Sequence, residues 1–169
     1  TILEDRLILF GEWLYAKHTL FYTDLPHYFM EFDVYDTFTN EFLSTERRKL
    51  LLASLPFVAS VKVLYQGHIP DMQALRRLIG HSHFISKDCQ QRLLNLCAIR
   101  QLDSIQVMKE TDSSALMEGL YIKVEEDGIV KERYKYVRAS FLQAVFDSEN
   151  HWLDRPLLPN SLKAGIELF

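Results

Sequence analysis

The segment from Leu116 to Val137 does most to limit what this chain can fold into. Asp127-Gly128 stands between Tyr121-Ile122-Lys123-Val124 and the run from Ile129 to Val137. Both flanks are rich in β-branched and aromatic residues. Asp-Gly supplies the two positive-φ positions that a tight hairpin turn requires. The spacing predicts antiparallel strands over 116–125 and 129–137, which makes antiparallel sheet the frame of the fold.

Other strand-like segments agree. Leu7 to Tyr15 is apolar at both parities, as in a strand buried on both faces, and Tyr28 to Asp36 is similar with acids at 31, 33 and 36. Thr23-Asp24-Leu25-Pro26 and Thr39-Asn40 mark turns. Val58 to Tyr65 and Ser104 to Lys109 also read as strands. Helices are predicted from Ser44, as cap, to about Leu55, over Asp71–Ile79 with Gly80 as stop, over Lys87–Ile99 capped by Ser86, and over Ala139–Phe146. The tail with Pro156 and Pro159 reads as irregular. The fold class is α+β.

With 169 residues, 48% of them apolar, there is material for one core. Six glycines, five prolines and 12% aromatics argue against disorder. No apolar run approaches membrane-spanning length, and acids at Glu4 and Asp5 stand where a signal peptide needs basic residues. Two cysteines, Cys89 and Cys97, make no disulfide framework and point to the reducing cytoplasm. The net charge of −4 excludes an all-over basic coat but not a local basic cleft.

Six features carry candidate chemistry. In Glu118-Gly119-Leu120-Tyr121-Ile122-Lys123, alternation separates Glu118 from Lys123 unless Gly119 hosts a bulge. In Arg133-Tyr134-Lys135-Tyr136-Val137-Arg138, Arg133 and Lys135 share a face and suit a phosphate. Glu12, between Gly11 and Trp13, needs a partner such as a ribose or a cation if it is buried. Phe29 to Tyr35 offers an aromatic to stack on a base. Each of these also has a plainer reading as a solvated strand or ordinary core. His81-x-His83 with Cys89 lacks zinc spacing and reads as loop histidines. Arg47-Arg48-Lys49 reads as a solvated helix face.

Their order is more telling than any one of them. Phe-Gly-Glu-Trp, Phe-x-x-Phe-Asp-Val-Tyr, Glu-Gly-Leu-Tyr-Ile-Lys and Arg-Tyr-Lys-Tyr-Val-Arg follow one another from Phe10 to Arg138. This resembles the covalent nucleotidyltransferase superfamily, and within it ATP-dependent RNA ligases of the RNA ligase 2-like type. The resemblance implies an antiparallel-sheet nucleotidyltransferase core, ATP-grasp-like, with short helices. It implies ATP and Mg²⁺ as cofactors, RNA ends and ATP or AMP as partners, and sealing through lysyl-AMP and RNA-adenylate. By matching position, Glu12 contacts the ribose, Phe32 (with Phe29 as rival) stacks on adenine, and Glu118 faces metal and phosphate. Lys123 ends the fourth motif. Lys135 grips the AMP phosphate, paired with Arg133 or with Arg138.

One family element is absent: Lys-x-[Asp/His/Asn]-Gly, which carries the nucleophile upstream of the Glu12 motif. Asp127-Gly128 has Glu125 where that lysine would stand. Three readings stay open. The chain, which begins at Thr1 rather than Met, is the C-terminal part of one ligase domain with the lysine upstream and 71–99 as a helical insertion. Or it is a non-ligating relative that binds a nucleotide or RNA end. Or it is a plain α+β interaction domain.

Overall fold

A computed structural model describes residues 5–146, 156–166 and 168. Strand β1 (Leu7–Trp13) pairs antiparallel with β2 (Phe29–Asp36), which forms the centre of the first sheet. On its other edge β2 takes β3 (Glu41–Phe42) antiparallel at Tyr35 and Asp36, and β4 (Ala59–Ser60) parallel at Met30 and Glu31. The second sheet is the hairpin of β5 (Gly119–Glu126) and β6 (Ile129–Val137). Asp127 and Gly128 both have positive φ, 52° and 77°, as the turn requires. The hairpin is tied to the first sheet at its turn end: Leu43 bridges Ile129, and the Ser44 amide donates to the Gly128 carbonyl.

Five helices complete the described chain. Helix α1 (Thr45–Leu52) is capped by Ser44, whose Oγ accepts from the Arg47 amide. Helix α2 (Met72–Arg76) is capped by Asp71, α3 (Cys89–Arg100) ends on Gln101 in a left-handed conformation, and α4 (Ser104–Lys109) is capped by Asp103. Helix α5 (Ala139–Phe146) follows β6. Phe21, Leu93, Cys97, Val107 and Leu158 form a core that clamps α3 and α4 to the 19–25 loop and the tail. Each such buried aliphatic contributes roughly 1.5–3 kcal/mol.

Mixed helix and antiparallel sheet match the expected α+β class. Several elements differ from their sequence reading. β1 is not buried on both faces: Leu7, Leu9 and Gly11 are partly covered, whereas Ile8, Phe10 and Glu12 on the other face, and Trp13 at the strand end, are exposed. The strand expected over Val58–Tyr65 shrinks to two residues, since it meets β2 only at Met30 and Glu31. The strand expected over Ser104–Lys109 is helical. Asp103 Oδ1 accepts from the amides of Ile105 and Gln106, and this cap decides the segment. Helix α2 stops well before Gly80, and α1 before Leu55. Ser86 does not cap α3 with its side chain; its Oγ is engaged by the Thr23 hydroxyl.

Candidate nucleotide-binding site

The site is built on an irregularity in β2. Phe10 pairs with Asp33 and Gly11 with Glu31, leaving Phe32 as an extra residue, a β-bulge. Regular alternation would put Glu31 and Asp33 on one face. The bulge reverses this. Asp33 shares the face of Phe10 and Glu12, while Glu31 shares the face of Gly11 and Trp13. Phe32 joins Asp33, its ring 5.3 Å from that of Tyr121 on the hairpin. Phe29 lies opposite, over Gly11, where any Cβ would collide with its ring. Phe32 is thus the aromatic on the hairpin side, and Phe29 the one on the opposite face.

The hairpin meets that face with its own polar row. Tyr121, Lys123, Arg133 and Lys135 share one face, with Lys123 opposite Arg133 and Tyr121 opposite Lys135. No bulge occurs at Gly119; the register shift in the hairpin lies between Val124 and Glu125. Gly119 serves another purpose, since a Cβ there would strike the Tyr136 carbonyl. Glu118 lies just before β5, and its ion-pair partner is Lys135 rather than Lys123.

Asp33, fully buried, is the hub. Its Oδ2 accepts from the Tyr121 hydroxyl at 2.5 Å, its Oδ1 lies 2.5 Å from Lys123 Nζ, and Arg133 Nη1 lies 3.5 Å from Oδ2. Burial and the Asp33 carboxylate push the Tyr121 phenol up to about 12. Lys123 also donates to the Phe32 carbonyl at 2.6 Å, at the bulge itself. The Arg133 guanidinium lies 3.7 Å from the Phe42 ring centroid, within cation–π range.

Exposure rises along the cation row. The Lys123 side chain is 11% exposed, Arg133 41% and Lys135 66%. Lys123 is thus committed to the protein, whereas Arg133 and Lys135 present charge to solvent. Lys135 Nζ lies 3.5 Å from Glu118 Oε1, a partly exposed pair. Glu12 keeps solvent access, yet its carboxyl is raised above its ordinary pKa. Loss of hydration is the main cause and the Glu118 charge the second, with Lys135 and His18 opposing. Glu12, Glu118 and Lys135 therefore belong to one electrostatic unit.

Arg138 is a correction. It lies beyond β6, buried, and its guanidinium binds Asp112, Ser114, Ser140 and the Met117 carbonyl. It lies outside the cation row of the hairpin, where Arg133 and Lys135 share a face. Arg48 is a second correction: it is not solvated but buried, donating to Glu31 at 2.6 Å. Asp33, Tyr121 and Phe42 were missing from the sequence reading. For Asp33 there was a signal, because an acid inside an apolar strand must find a partner.

The donor set also bears on a divalent cation. Lys123, Arg133 and Lys135 face Asp33, Glu12 and Glu118, so the cleft has no surplus of positive charge for a polyphosphate. Among the described residues no group of three or more His, Cys, Asp or Glu is arranged to hold a metal. Glu12 and Glu118 remain as a pair of hard oxygen donors. That fits Mg²⁺, which typically takes one or two carboxylates and completes its shell with phosphate and water.

No curated protein and no solved structure matches the chain. The family model for RNA ligase matches residues 2–137, which takes in β1, the bulged β2 and the whole hairpin. The chain belongs to the RNA ligase family.

Proposed function

We propose that this chain forms the nucleotide-holding part of an ATP-dependent RNA ligase of the RNA ligase 2-like type. It would seal RNA 3′-OH and 5′-phosphate ends through lysyl-AMP and RNA-adenylate, with the nucleophilic lysine outside this sequence. The observation that carries the reading is the meeting of two elements distant in sequence. The bulge presents Phe32 and Asp33 to a hairpin face bearing Lys123, Arg133 and Lys135, with Glu12 and Glu118 at its open end.

Each residue has a task in this reading. Phe32 offers a ring for adenine, and Glu12 an acceptor for ribose hydroxyls. Lys135 and Arg133 grip the α-phosphate by charge-assisted hydrogen bonds. Asp33 fixes Lys123 and Arg133 before ATP arrives, so little reorganisation is needed on binding. Glu118 would hold Mg²⁺, which neutralises charge on the phosphates. An amine must attack the α-phosphate, and Lys123 and Lys135 already have other work. Residues 71–99 fall outside this machinery and are read as a helical insertion.

Intact-mass spectrometry of the full gene product with ATP and Mg²⁺ tests the reading. An added AMP is expected, and Lys135→Ala should abolish the adduct while the far-ultraviolet spectrum and melting temperature hold. Adduct formation undiminished in Lys135→Ala would refute the role of Lys135. ATP binding without any adduct from the full product favours a non-ligating relative, a reading supported by the absence of Lys-x-[Asp/His/Asn]-Gly here.

A further inference from the structure

Trp13 ends β1 with its side chain outward; the residue is 65% exposed, a high value for the largest apolar side chain. It is not isolated. Its ring lies 6.2 Å from that of Tyr28, and Tyr28 lies 5.1 Å from Tyr15, edge to face. Tyr15 is 38% exposed. Three rings thus form an aromatic cluster at the end of the edge strand, with the indole tilted 53° to the Tyr28 ring.

This surface is held in place from beneath. Asn160, which is 3% exposed, donates through Nδ2 to the carbonyls of Leu14 and Ala16, and its Oδ1 accepts from the Tyr22 amide. Its own amide donates to the Tyr15 carbonyl, and its carbonyl accepts from the Tyr28 hydroxyl. One buried side chain therefore fixes the backbone on both sides of Tyr15 and, through its main chain, the Tyr28 ring. The Tyr28 ring, held this way, loses little further freedom when a ligand arrives and backs the Trp13 ring.

Position supplies the ligand. Trp13 follows Glu12 directly, with Cα atoms about 3.8 Å apart. Neighbouring strand residues project from opposite faces, so the indole stands across the edge of the sheet from Glu12. Trp13 shares the face of Gly11 and Glu31, so a chain would reach its ring from the cleft by passing around the β1 edge. Flat π faces accept any base, as an enzyme joining arbitrary ends needs.

We propose that Trp13, with Tyr28 and Tyr15, is a stacking platform for nucleobases at the RNA end presented to the cleft. The inference rests on the RNA ligase reading and extends it to a second subsite. The test uses anisotropy of a short, labelled, 5′-phosphorylated oligoribonucleotide, with ATP binding measured in parallel by calorimetry. Trp13→Ala should weaken RNA binding about tenfold or more, and Trp13→Phe should retain most of it. ATP affinity should be the same in all three proteins. Abasic sites at the 5′-phosphate end should reproduce the loss in the parent protein and leave Trp13→Ala unaffected. Equal RNA affinity in parent and Trp13→Ala overturns the platform and leaves the ligase reading standing, as would be found if the β1 edge serves a protein partner instead. A parent protein that binds neither ATP nor RNA overturns both.

Discussion

Glu31 and Asp33 lie two residues apart on one strand, both are fully buried, and they do opposite jobs. Glu31 turns to the α1 side, where Arg48 and the Ser60 hydroxyl each donate to it at 2.6 Å. Its chief partner, Arg48, is as buried as it is. Asp33 turns to the hairpin, where Arg133 stands 41% exposed at the edge of solvent. A buried acid with buried partners holds elements together. A buried acid with a partner as exposed as Arg133 holds charge at the edge of solvent. The inserted Phe32 is what separates the two roles.

The contrast breaks most sharply on the Glu31 side. Arg48→Met leaves Glu31 with Ser60 alone, and should cost about 3–5 kcal/mol in urea unfolding. Replacing the pair together, as Glu31→Leu with Arg48→Met, should recover much of that loss. If the double variant is no better than the single, the ion pair is not what sets the cost. Asp33→Asn should behave differently. It should cost about 1.5–3 kcal/mol in stability, the range for a hydrogen bond to a charged group, but weaken ATP binding about tenfold. Were Asp33→Asn to lose as much stability as Arg48→Met with ATP affinity intact, the distinction between the two acids would fall.

A third acid on β2 sets the low end of the scale. Asp36 is held by Arg6 at 2.6 Å and accepts from the Phe38 and Thr39 amides. The Arg6 hydrogen bond is the main cause that lowers its carboxyl to about 2, with those amides assisting against burial. A lowered carboxyl stabilises the fold above its unfolded value near 3.8 and ceases to do so as pH falls through about 2. The melting-temperature gap between parent and Asp36→Asn should therefore be constant above about pH 5 and close between pH 4 and 2. A gap that persists at pH 2 would mean that the charge is not its source.

Much of this was legible in the sequence. The hairpin was, because Asp127-Gly128 has one good conformational answer and both flanks suit strands. The ordered motifs were, because glutamates and lysines at those spacings are costly without a purpose. The bulge was not: period-two reading has no symbol for an extra residue, so Asp33 stayed hidden beside Phe32. Arg48 was misread because a basic run on a short helix looks solvated until a buried acid is known to face it. Segment 104–109 is helical rather than a strand because its apolar residues fit either period and the Asp103 cap decides between them. Arg138 looked like a continuation of the cation row, but the strand ends one residue earlier at Val137.

The hairpin behaves mechanically as a beam fastened at both ends. Near its turn it is fixed by the Gly128 carbonyl and by Glu125, which accepts from the amide and hydroxyl of Thr45. At its far end Arg138 binds Asp112 and the Met117 carbonyl. Between these fastenings the beam carries Tyr121, Lys123, Arg133 and Lys135. The width of the cleft between Lys135 and Glu12 is thus a dimension of the frame, set by anchors at the two ends of the hairpin. Damage to either anchor changes that gauge while every ligand-facing side chain remains in the sequence.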